Sequence, residues 1–231
     1  MITLRKADER GHASYGWLDT RYTFSFAHYY DPKHMGVSAL RVINDDVIQP
    51  AGGFDTHGHR DMEIITYVLE GVIEHKDSQG NTETLPGGEF QLMSAGKGIY
   101  HSEYNASNTH PLRVLQIWIE PNTRGNTPEY QQKNFGQAYG LTSIVTPTGE
   151  NNSLKIKQNA KLLQLILKAG ESFEFTQSIG KQLYIHQVDG GVTVNGEQLI
   201  AGDGAKIINE RLLNFNNQSH RDAKVFIFEL P

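Results

Sequence analysis

Short apolar runs, separated at close intervals by glycine, proline and asparagine, constrain the fold of this chain more than any other feature. Eight segments rich in Val, Ile, Leu, Phe and Tyr have the length and the flanking turn residues of β-strands. These segments are residues 38–48, 62–71, 89–93, 113–120, 162–170, 181–190, 191–196 and 223–230. No long segment shows helical periodicity, although residues 127–135 could form a short helix or an extended linker. The pattern predicts an all-β fold, either a sandwich or a barrel.

A weak internal repeat indicates that the chain contains two halves of similar design. Residues 67–93 and 184–208 share one order of features: strand, glycine, strand, glycine-containing turn, short strand, corner of small residues, strand. This repeat predicts two tandem β-barrels or sandwiches of the jelly-roll type. We expect the first at residues 1–125, and a linker followed by a degenerate second barrel at residues 126–231.

Composition argues against several classes of function. The chain of 231 residues contains no cysteine, so a metal ion would have to be bound through nitrogen and oxygen atoms. The net charge of −5 and the lack of a basic run argue against direct binding to nucleic-acid phosphates. No apolar stretch approaches the ~18 residues that cross a bilayer, and the N-terminus lacks the apolar core of a secretory signal. These features predict a cytoplasmic protein that does not enter a membrane.

Two pairs of side chains, each with a spacing of two residues, mark a candidate metal site. Because side chains alternate between the faces of a strand, His57 and His59 should point to the same side, as should His101 and Glu103. Three imidazoles and one carboxylate would form a nitrogen–oxygen site for a divalent transition metal. On an ion that prefers six ligands, this set would leave positions open for a substrate or for oxygen.

The other histidines are not assigned to the metal site. His75 and His186 lie within strand segments, where an ordinary hydrogen-bonded role is expected. The remaining histidines occupy polar or loop-like stretches and are expected to be solvated: His12, His28, His34, His110 and His220. The apolar residues that could line a cavity beside the metal, or that form ordinary core, are Phe24, Phe26, Met35, Phe54, Ile65 and Phe90.

The residues around these histidines carry a resemblance to the cupin superfamily. The segment GGFDTHGHRDMEIITYVLEG (52–71) resembles the first cupin motif, and GNTETLPGGEF (80–90) resembles the start of the second. The second motif normally continues to a histidine, but this chain has Gln91 at that position and places His101 later, in AGKGIYHSE (95–103). That arrangement resembles the pirin family of two-domain cupins.

The opening segment, residues 4–32, also resembles bacterial pirin-like proteins. The likeness is strong over residues 1–120 and thin beyond. It implies iron(II) in the N-terminal barrel, bound by His57, His59, His101 and Glu103, and no metal in the C-terminal barrel. Manganese, cobalt, nickel, copper and zinc also bind nitrogen–oxygen sites of this kind.

Glu63 leaves an alternative open in this ligand set. In many cupins the glutamate of the first motif is itself a ligand, and alternation could place Glu63 on the same face as His57 and His59. The two-residue spacing from His101 favours Glu103 as the fourth ligand. Glu63 would then support the ligands or the fold.

The resemblance implies two functions of different classes. Several pirin-like proteins open the flavonol quercetin with dioxygen and release carbon monoxide. A member of this kind would be a metal-dependent dioxygenase in which Glu103 accepts the proton of the flavonol's 3-hydroxyl. Some pirins instead act as protein-binding cofactors of transcription, which implies an iron-dependent, redox-responsive regulator with a protein partner. A sugar isomerase or epimerase on the same barrel is a third interpretation, but it would leave the four ligands without a purpose.

Overall fold

The structure, a computed structural model, describes all 231 residues and consists almost entirely of β-strands. The first strands are β1 (Ile2–Arg5), β2 (Gly11–Ser14), β3 (Leu18–Tyr22), β4 (Leu40–Ile48), β5 (Gly53–His59), β6 (Glu63–Glu70), β7 (Val72–Asp77), β8 (Thr82–Pro86), β9 (Glu89–Ser94), β10 (Ile99–Asn105), β11 (Leu112–Ile119) and β12 (Glu129–Asn134). The remaining strands are β13 (Gly140–Thr146), β14 (Leu154–Lys155), β15 (Lys161–Leu167), β16 (Ser172–Thr176), β17 (Gln182–Asp189), β18 (Gly191–Val194), β19 (Glu197–Ile200), β20 (Gly204–Ile207), β21 (Leu212–Asn216) and β22 (Ala223–Leu230).

Helical structure is limited to two short 3₁₀ turns, Ala7–Glu9 and Glu150–Asn152. No helix in the structure has the length and apolar character that crossing a membrane requires.

The chain forms two compact units, each built from one seven-stranded and one four-stranded sheet. The N-terminal unit comprises Gly11–Gly136 and Ile156–Gln158, and its strand orders are β12-β9-β6-β11-β4-β3-β2 and β5-β10-β7-β8. The C-terminal unit comprises Met1–Arg10, Gln137–Lys155 and Asn159–Pro231, and its strand orders are β1-β20-β17-β22-β15-β13-β14 and β16-β21-β18-β19. The all-β prediction of two jelly-roll units is therefore confirmed.

The internal repeat is visible in how the strands pair. The order β9-β6-β11-β4 in the N-terminal unit matches β20-β17-β22-β15 in the C-terminal unit, and β5-β10-β7-β8 matches β16-β21-β18-β19. The two repeated segments of the sequence thus fold as β6 to β9 and as β17 to β20.

The limits of the units differ from the predicted division between residues 125 and 126. Strand β1 pairs with β20, with Ile2 opposite Ile207, so the first ten residues belong to the C-terminal unit. Strand β12 pairs with β9 in the N-terminal unit, where a helix or linker was expected. Both are edge strands, and β12 has the polar sequence EYQQKN, so no apolar alternation marks it as a strand.

A row of polar side chains, here called the polar row, crosses the seven-stranded sheet of the N-terminal unit. The strand register places its members directly opposite one another on β3, β4, β11, β6 and β9: Tyr22, Asn44, Gln116, Thr66 and Gln91. All five are buried. Because neighbouring positions on a strand point to opposite faces, the adjacent row on the other face can be apolar. It contains Ile43, Ile117, Ile65 and Leu92.

Apolar packing fills the interior of the N-terminal unit on one side of the polar row. Buried side chains from β3, β4, β6 and β11 contact side chains from β7 and β8 of the four-stranded sheet there: Leu18, Ile48, Val68, Ile73, Leu85, Leu112 and Val114. Burial of this cluster holds the two sheets face to face. The sheets are thereby fixed around the polar row and around the strands that carry the predicted metal ligands.

Candidate metal centre

Three of the predicted ligands meet on β5 and β10 of the four-stranded sheet. His101 lies directly opposite His57, and His59 lies two residues further along β5 on the same face. One ring nitrogen from each of the three lies within 4.8 Å of the others. The Nε2 atoms of His57 and His101 are 3.1 Å apart. The spacing of two residues in the sequence therefore corresponds to a convergent group in space.

A β-bulge in β5 shapes this convergence. His57 is opposite His101, but the next inward pair along the strands is Phe54 opposite Glu103, so β5 has one more residue than β10 between these pairs. The two intervening residues, Asp55 and Thr56, are both exposed. The bulge lets Phe54 face inward along with the histidines. Simple alternation would have pointed Phe54 outward.

The arrangement of the ring nitrogens fits a metal ion. The Nδ1 of His57 donates a hydrogen bond to the backbone oxygen of Asp55 at 2.7 Å, so Nε2 is the ring nitrogen that faces His101. Two nitrogens that bind one ion at about 2.1 Å lie about 3 Å apart when the bonds meet at a right angle. The observed Nε2 separation of 3.1 Å between His57 and His101 agrees with that spacing.

The electrostatic surroundings keep two of the imidazoles neutral. Burial, reinforced by the neighbouring His57, lowers the pKa of His59 to about 4. Burial and the neighbouring imidazoles lower the pKa of His101 to about 2. Near neutral pH both rings therefore retain the lone pairs that a metal ion requires.

Glu103 is a buried carboxyl with one free oxygen. Glu103 is only 2% exposed. Its Oε2 accepts a hydrogen bond from Gln116 Nε2 at 2.8 Å. Its Oε1 is buried and has no hydrogen-bond partner in the protein. Burial raises the pKa of Glu103 to about 7, and the nearby Asp46 carboxyl contributes to the rise. Such a group can bind a cation or exchange a proton near neutral pH.

A second group of possible ligands shares two of these residues. Donor atoms of His75, His101 and Glu103 also lie within 4.8 Å of one another, and His75 is directly opposite Glu103 where β7 pairs with β10. Glu103 therefore belongs to a group with His101 and His75, and His57 and His59 belong to a group with His101. His101 is common to both groups. The predicted hydrogen-bonded role of His75 is confirmed, since its Nε2 donates to Asp77 Oδ2 at 3.3 Å. Its closeness to the site was not predicted, although the spacing of His75 and Asp77 was an available signal.

Glu63 lies outside both groups. It begins β6 rather than continuing β5, because the chain turns at Asp61 and the alternation of side chains restarts. Its Oε2 accepts hydrogen bonds from Ser94 Oγ at 2.8 Å and from the backbone nitrogen of Lys157 at 3.2 Å. The idea that Glu63 faces the same cavity as His57 is therefore wrong.

A cavity of about 400 Å³ adjoins the histidines in the N-terminal unit. Aromatic rings and buried polar groups line it: Tyr15, Trp17, Leu18, Thr20, Tyr22, Phe26, Ala27, Asn44, Asp46, Phe54, His57, His59, Glu103, Gln116 and Trp118. Its size lies within the range of pockets that hold small organic ligands. Trp118 packs edge-on against His59, with ring centroids 4.9 Å apart.

The apolar residues proposed for the lining fall into four groups. Phe26 and Phe54 line the cavity. Met35 is 47% exposed, while Phe24 is buried without lining the cavity. The side chains of Ile65 and Phe90 belong to the other face of the seven-stranded sheet, because Ile65 and Phe90 alternate with members of the polar row on β6 and β9.

The C-terminal unit has apolar side chains where the N-terminal unit has histidines. Strands β16 and β21 correspond to β5 and β10 in the pairing order. They carry Phe173 opposite Phe215 and Phe175 opposite Leu213. All four side chains pack in or against the apolar core of that unit.

Comparison with known proteins agrees with this architecture. The family model for pirins matches residues 3–119, and the model for the quercetinase C-terminal cupin domain matches residues 143–230. The chain is 50% identical over 231 residues to a quercetin 2,3-dioxygenase of Escherichia coli (strain K12), covering 100% of this chain and 99% of that relative. It is 42% identical over 217 residues to a pirin-like protein of Caulobacter vibrioides, covering 92% and 93% of the two chains.

A solved structure gives the same result in three dimensions. Bacterial pirin YhhW from Escherichia coli, crystallised in complex with nickel(II), is 49% identical and superposes with a TM-score of 0.96. The match covers 100% of this chain and 99% of that one. From its family-model match, its full-length relatives and its two-unit fold, the chain belongs to the pirin family of two-domain cupins.

Proposed function

We propose that this protein is a metal-dependent dioxygenase that opens flavonols such as quercetin with dioxygen and releases carbon monoxide. One observation carries the proposal: three convergent imidazoles and a buried carboxyl adjoin an aromatic-lined cavity of about 400 Å³. The full-length relative named quercetin 2,3-dioxygenase, at 50% identity, supports the same reaction.

The ion is proposed to be bound by His57, His59, His101 and Glu103. The three imidazoles supply nitrogen donors, and Glu103, whose Oε1 is buried without a partner, lies close to His101 of that group. Iron(II) is the proposed resident metal. The nickel(II) complex of YhhW supports binding of other divalent ions as well.

A metal ion bound there would hold the 3-hydroxyl and 4-carbonyl of a flavonol at its open positions and would lower the pKa of that hydroxyl. We assign both ion binding and acceptance of the hydroxyl proton to the carboxylate of Glu103, without dividing the two roles between its oxygens. A carboxylate beside the metal is a suitable general base for that hydroxyl. Gln116 restrains Oε2 of Glu103, and the rings of Phe54 and Trp118 line the cavity together with His57 and His59.

Oxygen uptake tests the proposal directly. We would load the metal-free protein with iron(II) under anaerobic conditions, add quercetin, admit air-saturated buffer and measure oxygen consumption and carbon monoxide release. One mole of carbon monoxide should be released for each mole of oxygen consumed, and the metal-free protein should consume no oxygen. A fully metal-loaded protein that consumes no oxygen with any flavonol would contradict the proposal. If that inert protein also bound one specific partner protein, the regulatory role would take its place.

A further inference from the structure

The cavity has a second polar surface on the seven-stranded sheet, apart from the strands that carry the histidines. Asn44 and Asp46 on β4 line the cavity, whereas His57, His59 and Glu103 line it from the four-stranded sheet. Asn44 and Asp46 are two residues apart on one strand, so both side chains lie on the same face. A ligand in the cavity would therefore contact both sheets.

Both side chains present acceptor atoms that the protein leaves without partners. Asn44 is 5% exposed and Asp46 is 3% exposed. The Oδ1 atom of each is buried and has no hydrogen-bond partner in the protein. A buried polar atom without a hydrogen-bond partner costs roughly 1–3 kcal/mol of folding stability. Two such atoms on adjacent inward positions of β4 therefore destabilise the fold.

The neighbouring residue on the other face shows the contrast. Asp45 accepts two hydrogen bonds from Arg113, at 3.0 Å from Nε and 2.8 Å from Nη2. Consecutive aspartates on β4 thus differ: Asp45 is paired with a cation, whereas Asp46 lines the cavity and has a buried oxygen without a hydrogen-bond partner. Hydrogen-bond donors on a bound ligand would satisfy the atoms that the fold leaves unpaired.

We propose that Asn44 and Asp46 form an acceptor subsite for hydroxyl groups on the substrate's aromatic rings, distinct from the pair of oxygens that binds the metal. Tyr22 and Trp17 also line the cavity and provide ring surface there. This inference rests on the proposed function and defines its substrate class. The protein selects polyhydroxylated flavonols and discriminates against flavonols that carry only the 3-hydroxyl.

The selection follows from the hydrogen bonds gained by acceptors that are already buried and unpaired in the ligand-free protein. A flavonol with further hydroxyl groups satisfies Asn44 and Asp46, whereas 3-hydroxyflavone leaves both acceptors unpaired in a desolvated cavity. We expect quercetin to bind at least roughly tenfold more tightly than 3-hydroxyflavone, and we expect substitution of Asp46 to remove most of that ratio.

The test measures binding without turnover. Nickel(II)-loaded protein is titrated anaerobically with quercetin and with 3-hydroxyflavone, and the ratio of the two dissociation constants is determined for wild type, Asp46→Leu and Asp46→Asn. In Asp46→Leu the ratio should fall toward one, with little change in the affinity for 3-hydroxyflavone. Asp46→Asn keeps an acceptor oxygen and should retain part of the preference. Asp45→Asn is the matched control, because Asp45 lies on the other face of β4, and it should leave the ratio unchanged.

The outcomes separate the subsite from the proposed reaction. If wild type and Asp46→Leu share the same ratio, the subsite is overturned while the dioxygenase proposal stands. If wild type binds neither flavonol, both are overturned. Should Asp46→Leu fail to fold, Asn44→Leu gives the same measurement, since Asn44 contributes the other unpaired oxygen.

Discussion

At the scale of single residues, two buried glutamates show how position decides a role. Burial raises the pKa of both Glu63 and Glu103 to about 7. The Oε1 of Glu103 has no partner and adjoins the histidines, whereas Glu63 is tied to Ser94 and to the backbone of Lys157. A raised pKa alone would not distinguish them, but their contacts do.

The same substitution at these two positions should therefore have different effects. Glu103→Gln removes the proton acceptor but keeps the shape of the side chain, so we expect some retained metal and a loss of turnover of roughly 100-fold or more. Glu63→Gln is the matched control and should keep wild-type turnover per bound metal. Elemental analysis and oxygen uptake of the two variants check this. Full activity in Glu103→Gln would remove Glu103 from the mechanism.

The histidines give a second prediction at this scale. Alanine at His57 or His101 removes one of the convergent nitrogen donors, so we expect stoichiometric metal to be lost in either variant. His12→Ala is the control, because His12 is exposed and pairs with Asp19 on a neighbouring strand. Metal content is measured after purification and after reconstitution. Unchanged content in His57→Ala would refute the ligand assignment.

Metal affinity should depend on the protonation of Glu103. The ion requires the ionised carboxylate, and the pKa of Glu103 in the metal-free protein is about 7. As the pH falls from 7 to 5, affinity should fall about tenfold per unit through this group. His59 and His101, with pKa values of about 4 and about 2, are already neutral in that range.

Nickel(II) titrations at several pH values measure this linkage. In Glu103→Gln the slope of the logarithm of affinity against pH should be smaller by one proton per metal. Equal slopes in wild type and variant would show that the proton is displaced from another group.

At the scale of strands, the pattern of apolar residues determined which strands could be predicted from the sequence. The eight apolar segments correspond to β4, β6, β9, β11, β15, β17, β18 and β22, with small shifts at their ends. The polar edge strand β12 was missed because its stability comes from pairing with β9 rather than from buried side chains. The bulge at Asp55 and Thr56 was also beyond prediction, because it depends on the register against β10.

Strand β1 should matter for the C-terminal unit and not for the metal. Its Ile2 and Leu4 pack against the apolar core of that unit, and the strand covers one edge of β20. Deleting residues 2–5 should lower the free energy of unfolding by about 2 kcal/mol or more and speed amide exchange in β20. Thr3→Ala, at an exposed position, is the control. Urea unfolding and hydrogen exchange check this, and loss of metal from the deletion variant would contradict it.

At the scale of the whole molecule, the repeat and the motifs predicted the architecture and the neighbourhood of the site. The two-residue spacings in the sequence predicted that His57, His59 and His101 lie close together, as they do in the structure. The sequence left Glu63 open as an alternative ligand because the pattern could not show that alternation ends at the turn before β6. His75 was missed as a neighbour of the site because its approach to Glu103 depends on β7 pairing with β10.

Metal binding should protect only one of the two units. All members of both ligand groups lie within Gly11–Gly136. Adding nickel(II) should slow amide exchange in residues 53–59 and 99–105, because binding stabilises the native state against local opening. Residues 182–230 should exchange at the same rate with and without the ion, as mass spectrometry of peptides can show. Equal protection of that segment would indicate a second binding site.

The polar row has a consequence for the stability of the N-terminal unit. Asn44 and Thr66 retain buried atoms without partners, and the apolar row on the other face shows that the same strands accommodate Ile and Leu. Natural selection for heat resistance alone would therefore favour filling this layer with aliphatic side chains. The polar row therefore costs the fold stability, and three of its members, Tyr22, Asn44 and Gln116, are the ones that line the cavity beside the histidines.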